Sequence, residues 1–419
     1  MEESALPVIG QQNMELEDEM REMFNHLGPD LSADCCIYRV PYHLRKLNEE
    51  SYTPTVISIG PFHHGDNRLQ TMEREKVRCL KIFLDMTGLD LGVLLRPVRA
   101  SEEKIRRFYG ETIQLNSNAF VKMILLDVIF ILQLFLSWPP FQYLQPWLRS
   151  ALIRDFILLE NQIPFFIIRR LLKITNRELE NPRCLEVLTF DFFEVFVGPK
   201  PVSFPEGDIL HFTDLLRTFQ LPSTERRRRD RGGVVKHLYT VSQLHEAGVK
   251  FKVSSSKCLL DLNFSNKVLE IPCICLDGRT EILARNILAY EQCHAFADAC
   301  IADYYVILHY LINTARDVDL LCDKKIISNC LGDSNAAMSL VNSLSKGLVL
   351  KSMFSDYCRL SDALNEFYAN PRHSWKATLR REYFSTPWST ASTMAAVIFL
   401  VLTVIQTVCS IIQVVPKHK

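Results

Sequence analysis

The stretch Ala391–Val415 reads ASTMAAVIFLVLTVIQTVCSIIQVV and contains no charged residue. A helix rises about 1.5 Å per residue, so this one would be roughly 37 Å long, whereas the hydrocarbon core of a bilayer is about 30 Å thick. Trp388 precedes the stretch where an interfacial aromatic anchor is expected, and Lys417 and Lys419 follow it. A buried core helix is the alternative, but core helices are rarely so long and apolar on every face. The stretch therefore predicts a transmembrane helix over residues 390–415.

The composition outside this helix is that of an ordinary globular protein. The chain has 419 residues, of which 48% are hydrophobic and 23% charged, and its 48 basic and 48 acidic residues cancel. A net charge of zero provides no global field for nucleic acid or acidic substrates, so no nucleic-acid partner is expected. The 13 Cys residues show no CxxC pair and no regular spacing. This distribution favours reduced thiols over a disulfide framework or a zinc site.

The N-terminus, MEESALPVIGQQNMELEDEM, is acidic and lacks the apolar core of a secretory signal. A C-terminal hydrophobic helix without such a signal predicts a tail anchor, with the bulk of the chain in the cytosol. Basic residues flank both ends of the helix, so the opposite orientation stays open. The membrane would be the plasma membrane or an endomembrane. The predicted organisation is a flexible acidic arm over 1–33, one globular domain over 34–389, the transmembrane helix over 390–415 and a short basic tail over 416–419.

The globular domain is predicted to be mostly helical. Leu69–Asp85 has helical spacing, and Ala119–Leu136 is interpreted as a buried core helix rather than a membrane element. Leu148–Leu172 predicts two helices separated by Pro164. Further helices are predicted over 191–197, 211–219, 281–315, 320–331, 334–346, 352–369 and 371–383.

Two stretches predict β-structure. Val56–Ile59 is a β-type run that ends at Gly60 and Pro61. Residues 258–264 and 268–276 flank Ser-Asn-Lys, which predicts an antiparallel hairpin, and Thr280 is expected to cap the next helix. The predicted fold class is α+β and predominantly α-helical, a compact helical domain with a small antiparallel β element and one C-terminal transmembrane helix.

A series of short blocks runs through the chain in a fixed order. They are IYRVP (37–41), YTPTVISIGPFHHG (52–65), MEREK (72–76), IRDFILLENQIPFF (153–166), HFTDLLR (211–217), LHEAGVKF (244–251), RNILAYEQ (285–292) and YFSTPW (383–388). These blocks and their order resemble the plant domain-of-unknown-function 247 family of single-pass membrane proteins. The block DVIFILQ (127–133) is similar too, but Gln133 stands where that family usually has Glu.

The resemblance implies a membrane-anchored plant protein, and it links some members of the family to self-incompatibility. It implies no catalytic, cofactor-binding or metal-binding residue, and no cofactor is expected. The positions that match the family's motifs are Pro41, Gly60, Pro61, His63, His64, Glu73, Lys76, Asp155, Glu160, Asn161, Gln162, Pro164, Asn286, Glu291, Pro387 and Trp388.

The pair His63-His64 could suggest a metal site. Adjacent histidines on a turn cannot easily both face one ion, and no other His-rich segment lies near them in sequence. A structural turn with one histidine bonded to the backbone is the favoured interpretation.

Three carboxylates, Asp155, Glu160 and Glu291, lie in apolar segments and are expected to be buried. Paired carboxylates could perform acid–base chemistry if one of them had a raised pKa. The favoured alternative is that each is paired across the core, because buried acids are normally paired. The expected partners are Arg39, Arg154 and Arg285.

The strongest local charge run is Arg226, Arg227, Arg228 and Arg229, within a Pro-, Ser- and Gly-flanked loop. It could contact anionic lipid or an acidic partner, or serve as a nuclear signal. An exposed loop without such a role is the favoured interpretation.

No P-loop, GxGxxG, HExxH or GxSxG motif occurs in the chain. The sequence therefore favours a non-enzymatic, membrane-anchored recognition or signalling component with an unidentified protein partner. The rival hypothesis is a membrane-tethered hydrolase that uses Asp155 and Glu160 or the His63-His64 turn. A third is a soluble nuclear protein directed by the arginine run.

Overall fold

The structure is a computed structural model that describes residues 6–25, 32–136, 145–176, 184–197, 209–221, 231–370 and 387–414. The chain divides into two compact units. The first unit comprises Met1–Val40, Thr53–Phe193 and Glu206–Phe212, and the second comprises Pro41–Tyr52, Glu194–Pro205 and Thr213–Lys419. The prediction of one globular domain between an arm and a membrane helix stays a prediction.

Helices dominate the described residues, and the strands are short. The helices are α1 (Leu6–Asn25), α2 (Tyr42–Arg45), α3 (Gln70–Thr87), α4 (Leu91–Ala100), α5 (Glu102–Arg107), α6 (Ser117–Leu136), α7 (Pro146–Ile157), α8 (Phe165–Thr175), α9 (Leu185–Val197), α10 (Phe212–Gln220), α11 (Val241–Ala247), α12 (Gly278–Cys293), α13 (Cys300–Leu311), α14 (Ala315–Asp323), α15 (Ser334–Ser345), α16 (Ser355–Ala369) and α17 (Pro387–Val414). The strands are β1 (Lys250–Val253), β2 (Asn263–Ser265), β3 (Val268–Ile271), β4 (Ile274–Leu276) and β5 (Ile327–Asn329). The predicted α+β, predominantly α-helical class is confirmed.

Helix α6 forms the core of the first unit. Every residue from Phe120 to Phe135 is buried except Lys122 and Gln133, and the helix packs against α3, α4 and α8. Phe135 also packs on Phe192, with ring centroids 5.0 Å apart. The prediction of a buried core helix here is confirmed, and its all-round hydrophobicity follows from its central position.

The run Val56–Ile59 does not form a strand, so the β prediction for it is wrong. Its backbone is irregular although Ile57, Ser58 and Ile59 are buried. Buried backbone N–H groups need acceptors, and here side chains of the first unit supply them, as described below. The apolar β-branched residues Val56, Ile57 and Ile59 therefore resemble a strand in sequence, although this segment pairs with no strand among the residues that the structure describes.

The predicted hairpin is confirmed in the second unit. Strands β2 and β3 pair antiparallel, with Asn263 opposite Glu270 and Ser265 opposite Val268. Asn266 and Lys267 form the turn with φ of 49° and 64°, the left-handed values that a two-residue type I′ turn requires.

The β element is nevertheless mixed rather than purely antiparallel. Strand β1 pairs parallel to β3, and β4 leaves the hairpin to pair parallel with β5 in a second sheet. Strands of three or four residues contain too few side chains to display a period of two, so their pairing was not predicted.

Several helix boundaries differ from the prediction because of local polar groups. Asp277, not Thr280, caps α12, since its Oδ1 accepts the Thr280 N–H at 2.8 Å. The helix predicted over 281–315 is interrupted between Cys293 and Cys300, and the one predicted over 320–331 ends at Asp323 before β5. The predicted helix over 371–383 lies outside the described residues.

Among the residues that the structure describes, two helices are long and apolar enough to cross a membrane. One is α6, which is mostly buried within the protein. The other is the C-terminal stretch Trp388–Ser410 of α17, which has a mean hydropathy of 2.1 and no buried residue. Burial thus separates the core helix from the candidate membrane span.

Candidate functional site

Asp155 binds the backbone of residues 55–57. It lies in the last turns of α7 and is fully buried. Its Oδ2 accepts the N–H of Val56 at 2.7 Å and of Ile57 at 3.0 Å, and Thr55 donates both its N–H and its hydroxyl. Burial raises the pKa of Asp155, although these hydrogen bonds oppose the shift. One carboxylate thus provides the acceptors that a neighbouring strand would otherwise provide.

Asn161 continues this arrangement along the same backbone segment. Its Oδ1 accepts the N–H of Ile59 at 2.7 Å. Its amide nitrogen donates to the carbonyls of Ile57 at 3.1 Å and Asp155 at 2.9 Å. A primary amide can donate and accept at once, which is what an isolated stretch of backbone requires.

Lys76, a fully buried cation of α3, contacts the same backbone segment near its end. Its Nζ lies 2.5 Å from Asp127 Oδ1 and 2.5 Å from Glu73 Oε1, and it donates to the Ser58 carbonyl at 2.5 Å. Asp127 Oδ2 in turn accepts the N–H of Gly60 at 2.8 Å. Burial lowers the pKa of Lys76, but the two carboxylates outweigh it and the net shift is upward. The lysine therefore stays charged, as a buried ion pair requires.

The side chains of Lys76, Asp127, Asp155 and Asn161 together form what we call the polar network, which holds the backbone of residues 55–60. The three charged members come from helices α3, α6 and α7, and Asn161 follows α7. Asp127 is the one acidic residue of the apolar helix α6. The network explains why residues 55–60 are fixed without belonging to a sheet.

Gly60 is required at the end of the held segment. Its φ is +73°, and a Cβ at this position would lie 2.5 Å from the Gln162 carbonyl oxygen. Tyr109 donates its hydroxyl to that same oxygen at 3.1 Å. The backbone conformation and the close approach both exclude a side chain here, and Pro61 then begins the turn that carries the histidines.

Gln162 fixes the break between α7 and α8. Its amide nitrogen donates to the carbonyls of Phe156 and Leu158, at 2.8 Å each, and its Oε1 accepts the N–H of Phe212 at 3.0 Å. Pro164 immediately precedes α8. Gln162 therefore binds backbone groups on both sides of the helix break.

Glu160 connects the entry segment of the domain to the histidine turn. It is buried, and its Oε1 accepts the Val40 N–H at 2.7 Å. Its Oε2 lies 3.3 Å from His63 Nε2 and 3.7 Å from the Arg39 guanidinium. His63 is 11% exposed, whereas His64 is exposed to solvent. His63 Nε2 thus lies beside a carboxylate, an arrangement that acid–base chemistry can use.

In the second unit, Glu291 holds the start of α13. It is fully buried in α12, with its Oε1 2.8 Å from Arg217 Nε and its Oε2 accepting the Ala302 N–H at 2.8 Å. Asn286, one turn earlier in α12, donates to the Ser51 carbonyl at 2.8 Å. The arginine beside Glu291 is Arg217, which was not among the partners expected for the buried acids.

The arginines expected to neutralise the buried acids are therefore only partly those observed. Arg39 lies beside Glu160 as predicted. Arg285 instead pairs with Glu281 at 2.8 Å, one helical turn away. Asp155 is satisfied by backbone donors, which sequence spacing alone does not reveal.

A further buried ion pair, missed in the sequence, joins Asp303 to Arg231. Asp303 in α13 is fully buried, its Oδ2 lies 3.0 Å from Arg231, and it accepts the Phe354 N–H at 2.9 Å. Burial raises the pKa of Asp303 to about 7, with Arg231 opposing the shift and Glu291 adding to it. In the sequence, the signal for this buried pair was a single acidic residue, Asp303, within the apolar stretch that forms α13.

This raised pKa gives a prediction for stability. In the folded protein Asp303 holds its proton up to about pH 7, whereas its ordinary pKa is 3.8. The folded state therefore binds the proton more tightly across this window, and the free energy of unfolding should fall as pH rises through it. From pH 6 to pH 8 we expect a loss of about 1 kcal/mol. Urea unfolding of the full chain in detergent should show this loss, and the Asp303→Asn variant should not.

The second unit also contains a partly open cavity of about 800 Å³. It lies between the loop before β2 and the first half of α16, and its lining residues belong to that unit. Polar and apolar side chains both line the cavity. They include Ser254, Asp261, Phe264, Glu270, Tyr357 and Arg359.

Comparison with known proteins places the chain in a family. The family model described as "Plant protein of unknown function", DUF247, matches residues 37–402. The chain belongs to the DUF247 family. UPF0481 protein At3g47200 of Arabidopsis thaliana is 29% identical, over 92% of this chain and 88% of the relative. Putative UPF0481 protein At3g02645 of the same plant is 22% identical, over 88% and 89%. No solved structure matches the chain.

Within the DUF247 match, the structure brings many of the motif positions together in the first unit. These are Gly60, Pro61, His63, Glu73, Lys76, Asp155, Glu160, Asn161 and Gln162, which form or adjoin the polar network. Asp127 belongs to the same group and was not predicted as a site residue. The signal in the sequence was an acidic residue within the apolar helix α6.

Other positions at which the sequence resembles the family's motifs lie apart from this cluster. Pro41 precedes α2, Asn286 and Glu291 lie in α12, Pro387 begins α17, and Trp388 is 86% exposed. Gln133, where the sequence resemblance would suggest Glu, lies near Met86, with its amide nitrogen 3.7 Å from the Met86 sulfur. The arginines 226–229 lie outside the described residues. Among the residues described, no group of three or more His, Cys, Asp or Glu side chains is arranged to hold a metal ion.

Proposed function

We propose that this protein is a non-enzymatic recognition or signalling component, anchored in a membrane by α17, with its bulk in the cytosol. The observation that carries the proposal is the exposure of that helix. Val397 is 55% exposed, Phe399 75% and Leu400 66%. Apolar surface in water costs about 25 cal/mol per Å², and a bilayer removes this cost around the whole circumference of the helix.

The polar network supports a role without catalysis. A catalytic carboxylate needs a lone pair directed at a substrate. Asp155 instead accepts from three successive residues of backbone, and Asp127 is shared between Lys76 and Gly60. Their oxygens are engaged in holding one loop.

The proposed partner is a protein, and the cavity of the second unit is a surface that such a partner could use. Its mixture of carboxylates, serine hydroxyls and aromatic rings suits a side chain or turn of a partner. Recognition in plant reproduction, which the sequence resemblance implies for some family members, is one process in which such a component could act.

The anchor can be tested by alkaline carbonate extraction of membranes from cells that express the full chain. We expect the protein to stay in the membrane pellet. The double variant Leu402→Lys and Val404→Lys should move to the soluble fraction, because a lysine near the centre of a transmembrane helix costs about 3 kcal/mol. Val77, which is 55% exposed on α3, offers a matched control, since Val77→Lys should stay in the pellet.

Release of the unmodified protein into the soluble fraction by carbonate would contradict the proposed membrane anchor.

Protease protection of intact membranes then tests orientation, with tags at both ends of the chain. We expect the N-terminal tag to be digested, and a protected N-terminal tag would place the bulk of the chain on the opposite side.

One observation favours a second candidate, a membrane-tethered hydrolase. His63 Nε2 lies 3.3 Å from the buried Glu160 carboxylate, so His63 could act as a base that Glu160 orients. Turnover of simple esters by the purified protein distinguishes the candidates. Turnover that His63→Ala abolishes would support the hydrolase, and equal background rates in both proteins would support the recognition role.

A further inference from the structure

Two exposed cysteines of the second unit lie next to each other. Cys275 is in β4, and Cys330 directly follows β5. Their sulfur atoms are 3.6 Å apart, and both residues are exposed. In the sequence they are far apart and show no motif, so only the pairing of the two strands reveals them.

The backbone fixes this arrangement. Strands β4 and β5 pair in parallel register, with Cys275 opposite Ser328. The N–H of Cys330 donates to the Leu276 carbonyl at 3.0 Å, which continues the pairing one step further. The two residues are therefore held near each other by main-chain hydrogen bonds.

We propose that Cys275 and Cys330 form a thiol–disulfide exchange site, which takes a low-molecular-weight disulfide such as oxidised glutathione and closes into a reversible intrachain disulfide. A disulfide bond is about 2.05 Å long, so the sulfurs must approach by about 1.5 Å. Exposure to solvent leaves both side chains free to rotate toward each other and leaves the pair open to the oxidant.

The two cysteines have different roles in this exchange. Partial desolvation, the hydrogen bond with Cys330 and the nearby Asp277 carboxylate raise the pKa of Cys275 to about 11. Cys275 is therefore protonated at neutral pH and is a poor first nucleophile, so we assign the first attack to Cys330. Cys275 is the resolving thiol.

The exchange balances in two steps. The Cys330 thiolate attacks one sulfur of oxidised glutathione, forms a mixed disulfide and releases one glutathione thiolate. Cys275 loses its proton to solvent and attacks the Cys330 sulfur, which releases the second glutathione. Two protein thiols are thereby oxidised, and one glutathione disulfide is reduced to two glutathione molecules.

The new bond would join β4 to the end of β5. Strand β4 leads through Asp277 into α12, and β5 lies between α14 and α15. Oxidation would therefore lock the two-stranded sheet across a long loop of the chain. This gives the second unit a response to redox conditions, independent of whether α17 anchors the protein.

The test uses the full chain in detergent, incubated with oxidised glutathione and analysed by peptide mass spectrometry without reduction. We expect a Cys275–Cys330 crosslink in the unmodified protein, formed about tenfold faster than glutathione adds to the exposed Cys273. Cys275→Ser should accumulate glutathione on Cys330, because the resolving thiol is absent. Cys330→Ser should accumulate much less on Cys275.

Cys273→Ser is the matched control, since Cys273 is also exposed and lies two residues from Cys275. It should form the crosslink at the unmodified rate. Glutathione retained on both cysteines of the unmodified protein without a crosslink would overturn the proposal. Loss of the crosslink in Cys273→Ser would overturn it as well, because it would assign the reactive pair to a different thiol.

Discussion

The Asp155→Ala variant should be strongly destabilised. Removal of the Asp155 carboxylate leaves the N–H groups of Val56 and Ile57 without their acceptor. It also removes the acceptor of the Thr55 N–H. Each buried donor left unpaired costs about 1–3 kcal/mol, so we expect a loss of about 4 kcal/mol. That is a large share of the roughly 5–15 kcal/mol that stabilises a typical protein. Urea unfolding followed by circular dichroism measures the loss.

Two further variants control this experiment. Asp155→Asn keeps one acceptor oxygen and should lose about half as much. Asp85→Ala removes an exposed carboxylate of α3 and should change stability by less than about 0.5 kcal/mol. Equal stability of Asp155→Ala and Asp85→Ala would show that the carboxylate does not hold the backbone.

The Lys76→Met variant should be similarly destabilised. Methionine fills the space but leaves Asp127 buried without its cation, with Glu73 beside the same site. Removal of one partner of a buried ion pair typically costs about 3–5 kcal/mol. Thermal and urea unfolding of the full chain in detergent should both report the loss.

The double variant Lys76→Met with Asp127→Asn separates charge from packing. Asparagine keeps an acceptor for the Gly60 N–H but carries no charge, so the double variant should recover more than half of the loss. If the double variant were less stable than Lys76→Met alone, the interpretation of Lys76 as a compensating cation would be wrong.

Sequence periodicity predicted the parts of the fold in which one side-chain pattern spans a whole element. Residues 117–136 form the core helix because nearly every side chain is apolar, and the hairpin forms because Asn266 tolerates positive φ. Strands β4 and β5 were not predicted, since parallel pairing between three-residue strands depends on partners about fifty residues apart in sequence.

The candidate site was predicted in its residues but not in its contacts. The blocks that carry Asp155, Glu160 and Asn161 indicated buried polar side chains. Their partners are backbone groups about a hundred residues earlier, and sequence spacing contains no information on such pairs. Val56–Ile59 was predicted as a strand for the same reason, since its acceptors are side chains that only the folded unit places there.

The central claim is that the motif residues around Asp155 and Asn161 serve to hold residues 55–60. Amide hydrogen exchange tests it most directly, because these residues have no strand to protect them. We predict that the amides of Ile57, Ile59 and Gly60 exchange as slowly as those of α6. In Asp155→Asn, exchange should quicken at Val56 and Ile57 while Gly60, which Asp127 holds, stays protected. Rapid exchange across residues 56–60 in the unmodified protein would contradict the account.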